Sequence, residues 1–329
     1  MKAPRLFQPP RQRGAAILTA MLTVVLVATL ASAMLWQQWR GVEVETAQRT
    51  RVQSSWVLTG ALDWARLILR EDARQGGADH LAEPWAVPLA PARLSTFLAA
   101  ERGQALVTDE VDPGQEAFLS GQMQDMQARL NVTNLLDNGK LHDPSVAAWG
   151  RLFKHLKLPE SELLALSQAL LRSQDMRAAG QEGGSRPLQP QGVDDLRWLG
   201  LSAASLQTLR PFITVLPVRT PVNLNTAPAE VLLASVPGLD MALAQRLVQA
   251  RASRHMATLM DADQLVGKPE VRFDANLHGV ASRFFSVTGQ LRLGGSTVQE
   301  VSLLQRDGLD VKTLSRHREV VSDVAPTLQ

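Results

Sequence analysis

Cysteine is missing from all 329 residues. That removes disulfides, thiolate zinc sites, iron–sulfur clusters and cysteine nucleophiles together. Other catalytic signatures are missing as well. The six histidines stand at 80, 142, 155, 255, 278 and 317, and none forms the i, i+4 pair with glutamate of a zinc-protease helix. No Gly-x-Ser-x-Gly elbow, Walker loop or Gly-x-Gly-x-x-Gly follows an expected strand. Acid pairs such as Asp194-Asp195 and Asp261/Asp263 read as solvated helix starts. The sequence therefore assigns no catalytic residue and no metal ligand, and the protein reads as non-enzymatic.

An excess of one charge is missing too, although the formal net charge of +2 hides this. Lys2, Arg5, Arg11 and Arg13 precede residue 14 with no acid among them. Without residues 1–14 there are 30 basic residues against 32 acidic ones. A near-neutral body weakens a general nucleic-acid reading. With 45% apolar and 20% charged residues, the chain reads as one large or two smaller folded domains.

From Gly14 to Trp39 there is no charge at all, a run of 26 residues. Residues 15–36 are almost wholly apolar, and as a helix they span about 33 Å, enough to cross a bilayer core. Trp36 and Trp39 end the run, where amphipathic rings settle at a membrane interface. The basic residues come first, which predicts a cytoplasmic amino terminus and an exported carboxyl-terminal part. Three readings fit this terminus: a secretory signal with Ala31-Ser32-Ala33 as cleavage site, an uncleaved anchor, or a prepilin-type leader cut after Gly14 with Ala15 as the new first residue. No proline occurs between Pro10 and Pro84. Val57, Ala61, Trp64 and Ile68 then recur at helical spacing, with Leu58, Leu62, Ala65 and Leu69 beside them. One helix from Ala15 to about Asp72 is expected, its first half in lipid and its second half packed on a folded domain. The alternative is an anchor followed by a separate amphipathic helix.

Gln75-Gly76-Gly77 ends this helix. Leu81–Pro91 reads as a loop or edge segment, Gly103–Asp109 as a strand, and Asp112-Pro113-Gly114 as a turn. Met126–Leu136 is expected to hold a second strand. Ser145–Leu156 and Ser161–Arg177 carry helical periodicity, and Gly180–Gly192 reads as a mobile loop. Asp194–Leu199, Ala203–Leu209, Ala229–Ser235 and Met241–Arg254 are expected as short helices. The period then changes to two: residues 284–293 alternate, Gly294-Gly295 signals a hairpin, Thr297–Gln305 follows, and Val311–Arg316 offers a third strand. The expected class is α+β: a long amino-terminal helix packed on an antiparallel sheet, with a large helical domain inserted.

One segment resembles a helix-hairpin-helix. Ala229–Ser235 and Met241–Arg254 flank Val236-Pro237-Gly238-Leu239-Asp240. In DNA-binding versions a glycine-rich hairpin and the following helix terminus hold a phosphate. Here Asp240 puts a carboxylate where the phosphate sits, while Arg246, Arg251 and Arg254 supply base. The unit over 222–254 is therefore open between a membrane-anchored DNA receptor and a packing unit with Leu232, Leu243 and Leu247 in its core. The exported topology favours packing, and no nucleic-acid partner is expected.

Taken in order, these pieces resemble the type II secretion system minor pseudopilin K family, over nearly the whole chain. The matching residues are the leader ending at Gly14 and Trp56 with Ala61-Leu62-Asp63-Trp64-Ala65. They continue with Asp125, Arg129-Leu130-Asn131 and Asn134-Leu135-Leu136, then Val222-Asn223-Leu224-Asn225-Thr226-Ala227 and Ser282-Arg283-Phe284-Phe285. The resemblance implies a pilin-like fold with residues 1–14 as leader and 15–73 as the helix. Residues 74–136 and 282–320 would form the pilin-like core, and 137–281 the inserted helical domain. It implies prepilin peptidase cleavage between Gly14 and Ala15, and N-methylation of Ala15. The fifth mature residue, usually glutamate in pilins, is Thr19, and its absence is a mark of the K-type subunit. A buried carboxylate in lipid is costly unless paired, and a tip subunit has no preceding amino group to pair with. The implied partners are the minor pseudopilins I, J and H, the major pseudopilin and the inner membrane. A minor pilin of another pilus-like machine is the alternative. Calcium is associated with an acidic stretch in K-type members. Here residues 175–195 hold only Asp175, Glu182, Asp194 and Asp195. Four scattered acids do not by themselves show the six to eight oxygens of a calcium site, so calcium rests on the resemblance alone and no cofactor is assigned from the residues.

Overall fold

The structure, a computed structural model, describes residues 13–95, 117–174, 187–293 and 296–321. The expected strand at 103–109, the glycine pair 294–295 and most of the loop at 180–192 lie outside the described residues. The chain forms two units, residues 1–56 and 57–329, and helix α1 (Arg13–Gln75) runs through both.

In the first unit α1 is the whole described structure, and its side chains from Ala16 to Gln48 are exposed. Ile17, Leu18, Met21, Leu22, Val25 and Leu26 each leave more than half their surface uncovered. Hydroxyls in this run are satisfied within the helix: Thr23 donates to the Ala20 carbonyl at 2.8 Å, Thr29 to Leu26 at 2.9 Å and Ser32 to Ala28 at 2.9 Å. The helix is long and apolar enough to cross a membrane.

The second unit is built on a five-stranded antiparallel sheet. Its strands are β1 (Leu89–Arg93), β2 (Ala117–Asp125), β3 (Phe284–Leu293), β4 (Ser296–Asp307) and β5 (Asp310–Val321), in that spatial order. Neighbours β2 and β3 are far apart in sequence. The chain leaves the sheet at Asp125 and returns at Phe284, and the described residues between form helices, turns and three pairs of two-residue strands. The carboxyl-terminal end of α1 lies on this sheet. Leu58, Leu62, Ala65 and Leu69 are buried there, while Val57, Ala61, Trp64 and Ile68 flank them half-buried, so the stripe centres one residue later than its most regular reading. Leu62 and Leu69 pack with Trp85, Phe285 and Leu304, and burial of each such side chain is worth about 1.5–3 kcal/mol. Gly121 and Gly289 face each other across β2 and β3, and a Cβ on Gly289 would come within 3.2 Å of Leu58 Cδ2. Gly289 is what lets the helix lie this close. Arg66 and Arg70 tie it to the Val311 and Leu309 carbonyls at 3.0 and 3.1 Å. Gly76 and Gly77, at φ +65° and +112°, then end the helix in a backbone region other residues avoid.

The segment between β2 and β3 has its own core. Helices α2 (Asp143–His155), α3 (Glu160–Gln174), α4 (Ala203–Leu209), α5 (Ala229–Ser235), α6 (Met241–Ser253) and α7 (Leu259–Val266) bury Trp149, Phe153, Leu166, Leu206, Val231 and Leu247 together. Residues 193–199 are helical but of the 3-10 type.

Three expectations need correction. The strand expected within Met126–Leu136 is replaced by two 3-10 turns, Met126–Ala128 and Val132–Leu135, around a two-residue bridge. Asp125 accepts the Gln127 amide and Asn131 accepts the Thr133 amide, so side chains compete with strand pairing for the backbone. Helix α7 was not anticipated. Asp261 starts it by accepting the Ala257 and Thr258 amides at 2.9 and 2.8 Å. The last strand runs well beyond Val311–Arg316, because β4 offers partners as far as Thr297.

Candidate functional site

Of the residues expected to matter for processing and assembly, Gly14 and Ala15 lie in the first turn of α1. Thr19, one turn on, donates its hydroxyl to the Ala16 carbonyl at 3.0 Å. This position thus brings no charge into the apolar helix.

The second candidate site is the junction where the helical segment joins the sheet. It gathers residues from five distant places: Asp79, Asp125, Asn223 with Thr226, Ser282, and Arg306. Asn223 is fully buried. Its amide nitrogen reaches the Asp79 carbonyl at 3.1 Å, Asp125 Oδ2 at 3.0 Å and Ser282 Oγ at 2.9 Å. Its own oxygen accepts the Asn225 amide at 2.9 Å. Asp125 Oδ2 also takes the Thr226 and Ser282 hydroxyls at 2.5 and 2.6 Å. Four donors make a buried carboxylate tolerable, yet burial still pushes Asp125 above the usual carboxylate range. Gln127 continues the bridge, donating to the Pro221 carbonyl at 3.1 Å and accepting the Arg283 amide at 2.7 Å. On the sheet side, Arg306 binds both Asp72 and Asp79, donates to the Ser282 carbonyl at 2.8 Å and lies 4.9 Å from the Phe285 ring centre. Asp72 and Asp79 are both raised, by burial first, with Arg306 opposing.

The strings singled out in the sequence, 222–227 and 282–285, therefore meet at this junction together with Asp125. Asp72, Asp79 and Arg306 were not singled out. No local spacing connects residues this far apart, although Arg306 on an otherwise alternating strand is the one available cue.

The unit over 222–254 spends its polar groups internally. Asp240 caps α6 by accepting the Leu243 amide at 2.8 Å, and Lys268 lies 3.6 Å away. Arg246 holds the Leu265 carbonyl at 2.5 Å, at the end of α7. Arg251 donates to the Leu224 and Ala227 carbonyls, both at 2.6 Å, and its burial lowers its pKa to about 10. Gly238 takes φ +78° in the hairpin. Leu232, Leu243 and Leu247 are buried. This is packing geometry; two of the three arginines are committed to backbone carbonyls.

Two sequence models described as type II secretion system (T2SS), protein K match residues 128–218 and 222–281, the second of which includes the junction asparagine, Asn223. Both regions match the type II secretion system protein K family. Relatives of that name include one from Pseudomonas aeruginosa, 27% identical over 317 residues covering 90% of this chain and 89% of the relative. Another is from Klebsiella pneumoniae, 27% identical over 334 residues covering 91% and 94%. The fold is similar to a chain in the crystal structure of the GspK-GspI-GspJ complex from enterotoxigenic Escherichia coli. The TM-score is 0.57 at 17% identity, over 83% of this chain and 98% of that one. Protein K is a structural component of the secretion system, and the role is that of a minor pseudopilin in protein secretion. The long apolar helix fits a membrane anchor.

Proposed function

We propose that this chain is the tip subunit of a periplasmic pseudopilus, helping to start and cap its assembly for export of folded proteins. In this reading prepilin peptidase cuts between Gly14 and Ala15, and Ala15 becomes the N-methylated first residue. The leader lies in the cytoplasm, the span of about 15–36 in the inner membrane, and the rest in the periplasm, as four basic residues ahead of the apolar run favour. The division into leader (1–14), helix (15–73), pilin-like core (74–136 with 282–320) and inserted domain (137–281) follows the same reading. Minor pseudopilins I and J are the nearest partners, with H and then the major pseudopilin below.

The observation that carries this reading is Thr19. Its hydroxyl is turned onto its own helix, so the position makes no demand for a cation from a preceding subunit. A subunit with nothing ahead of it needs no such pairing. The test is co-expression of the full chain with I, J and H, followed by purification from detergent through a tag on this chain. Co-purification of I and J supports the reading. Recovery with the minor pilins of another pilus machine, and not with I and J, refutes it. Binding to duplex DNA by the full chain would favour the helix-hairpin-helix alternative, against which the internal use of Arg246 and Arg251 already weighs.

A further inference from the structure

The first unit carries a cation that no acid of the chain takes up. Arg40 is the first charged residue after the run that starts at Gly14. Its one side-chain interaction among the described residues is aromatic: the guanidinium carbon lies 5.8 Å from the centre of the Trp36 ring, within cation–π range. Helix side chains lean toward the amino terminus, and Arg40 reaches back over the residue four places earlier. Glu43 stands on the other side, three places later, and Glu45 is taken by Arg49 at 2.6 Å. The cation is therefore turned toward the apolar run and away from the nearest acid.

Trp36 and Trp39 beside it are 63% and 61% exposed. From Arg13, where α1 starts, to Arg40 the helix rises about 40 Å. A bilayer with its headgroup regions is about 40–45 Å thick. With the start of the helix at one headgroup level, Arg40 stands at the other. We propose that Arg40, held over Trp36, binds the phosphate of an anionic phospholipid in the leaflet where the helix leaves the membrane. This rests on the reading of α1 as a membrane anchor. The guanidinium fork matches phosphate oxygens, and the indole spans the boundary between headgroups and acyl chains. Removal of residues 1–14 takes Lys2, Arg5, Arg11 and Arg13 from the opposite end. Arg40 is then the only basic residue flanking the span, and it sets how deep the mature helix sits.

The test is native mass spectrometry of the full chain in a neutral detergent, with phosphatidylglycerol added stepwise and bound lipids counted. Arg40→Gln should weaken lipid binding about fivefold, the worth of one arginine at an anionic surface. Trp36→Leu keeps the run apolar but frees the guanidinium, and should weaken binding about twofold. Arg51→Gln removes the same charge about 16 Å farther along the helix, beyond a Debye length of about 10 Å, and should change nothing. Equal affinity in wild type and Arg40→Gln overturns the proposal, as does an equal loss in Arg51→Gln. Displacement of the lipid by an equal concentration of glycerol 3-phosphate would make this a site for free anions and also overturns it. Unchanged lipid binding in Arg40→Gln, with loss of co-purifying I and J, would assign the cation to an acid of a partner helix instead. The same spectra give the intact mass, so loss of residues 15–33, which would sink the anchor reading itself, is told apart from failure of the Arg40 site.

Discussion

Asn223→Ala removes one side chain and strands several partners at once. Asp125 loses a donor at 3.0 Å, and hydrogen bonds to charged groups are worth about 1.5–3 kcal/mol. The Asn225 amide loses its acceptor in a buried site, which costs about 1–3 kcal/mol. Ser282 and the Asp79 carbonyl lose a shared donor as well. A loss of roughly 3–5 kcal/mol is expected, a large part of the 5–15 kcal/mol typical of a folded protein. Asn225→Ala is the control. Its side chain is equally buried, but it bonds only the Met256 backbone, at 2.9 and 2.8 Å, and leaves no carboxylate short of a donor. It should cost about 1–3 kcal/mol. Urea unfolding of the full chain in detergent micelles, followed by far-ultraviolet circular dichroism, gives both values. A loss below about 1 kcal/mol for Asn223→Ala, or the same loss for both variants, would refute the view that Asn223 fastens the helical segment to the sheet.

Gly121→Ala should destabilise more than Gly289→Ala. The new Cβ would meet the Thr288 carbonyl oxygen at 3.0 Å in the first case and only the end of the Leu58 side chain, at 3.2 Å, in the second. Overpacking costs about 1–3 kcal/mol, and thermal unfolding of the pair reads the order. Arg251→Gln should lower stability by about 2 kcal/mol by releasing the Leu224 and Ala227 carbonyls, with no change in retention on a duplex-DNA column. His278 is held below its usual value by burial. Its share of stability is present above the ordinary histidine pKa and is lost as pH falls below it. His278→Gln should therefore flatten the acid side of the stability profile relative to wild type; unchanged acid sensitivity in that variant would count against the assignment.

Elements set by local chemistry were legible in the sequence. The helix ending at Gly76-Gly77, the alternation of residues 284–293 and the short helices at 203–209 and 229–235 follow from periodicity and turn residues. Residues 126–135 were not legible, because Asp125 and Asn131 divert the backbone into turns through side-chain bonds that propensity does not register. The junction was half legible. Asn223, Thr226, Ser282 and Asp125 lay within strings that the family resemblance marked, but their joint role needs β2 and β3 to be neighbours. Asp79 and Arg306 are 227 positions apart, and only the fold brings them together. At the amino terminus, by contrast, a basic leader and an apolar span are read along the chain and not across it, and the family resemblance points within them to Gly14, Ala15 and Thr19.

The most direct measurement is the mature amino terminus. Intact mass and terminal sequencing would be done on protein from cells with and without a prepilin peptidase. A pseudopilin tip subunit must begin at methylated Ala15, and only when the peptidase is present. A protein beginning at Met34 in both strains would have lost the apolar run as a secretory signal, and that result would contradict the account.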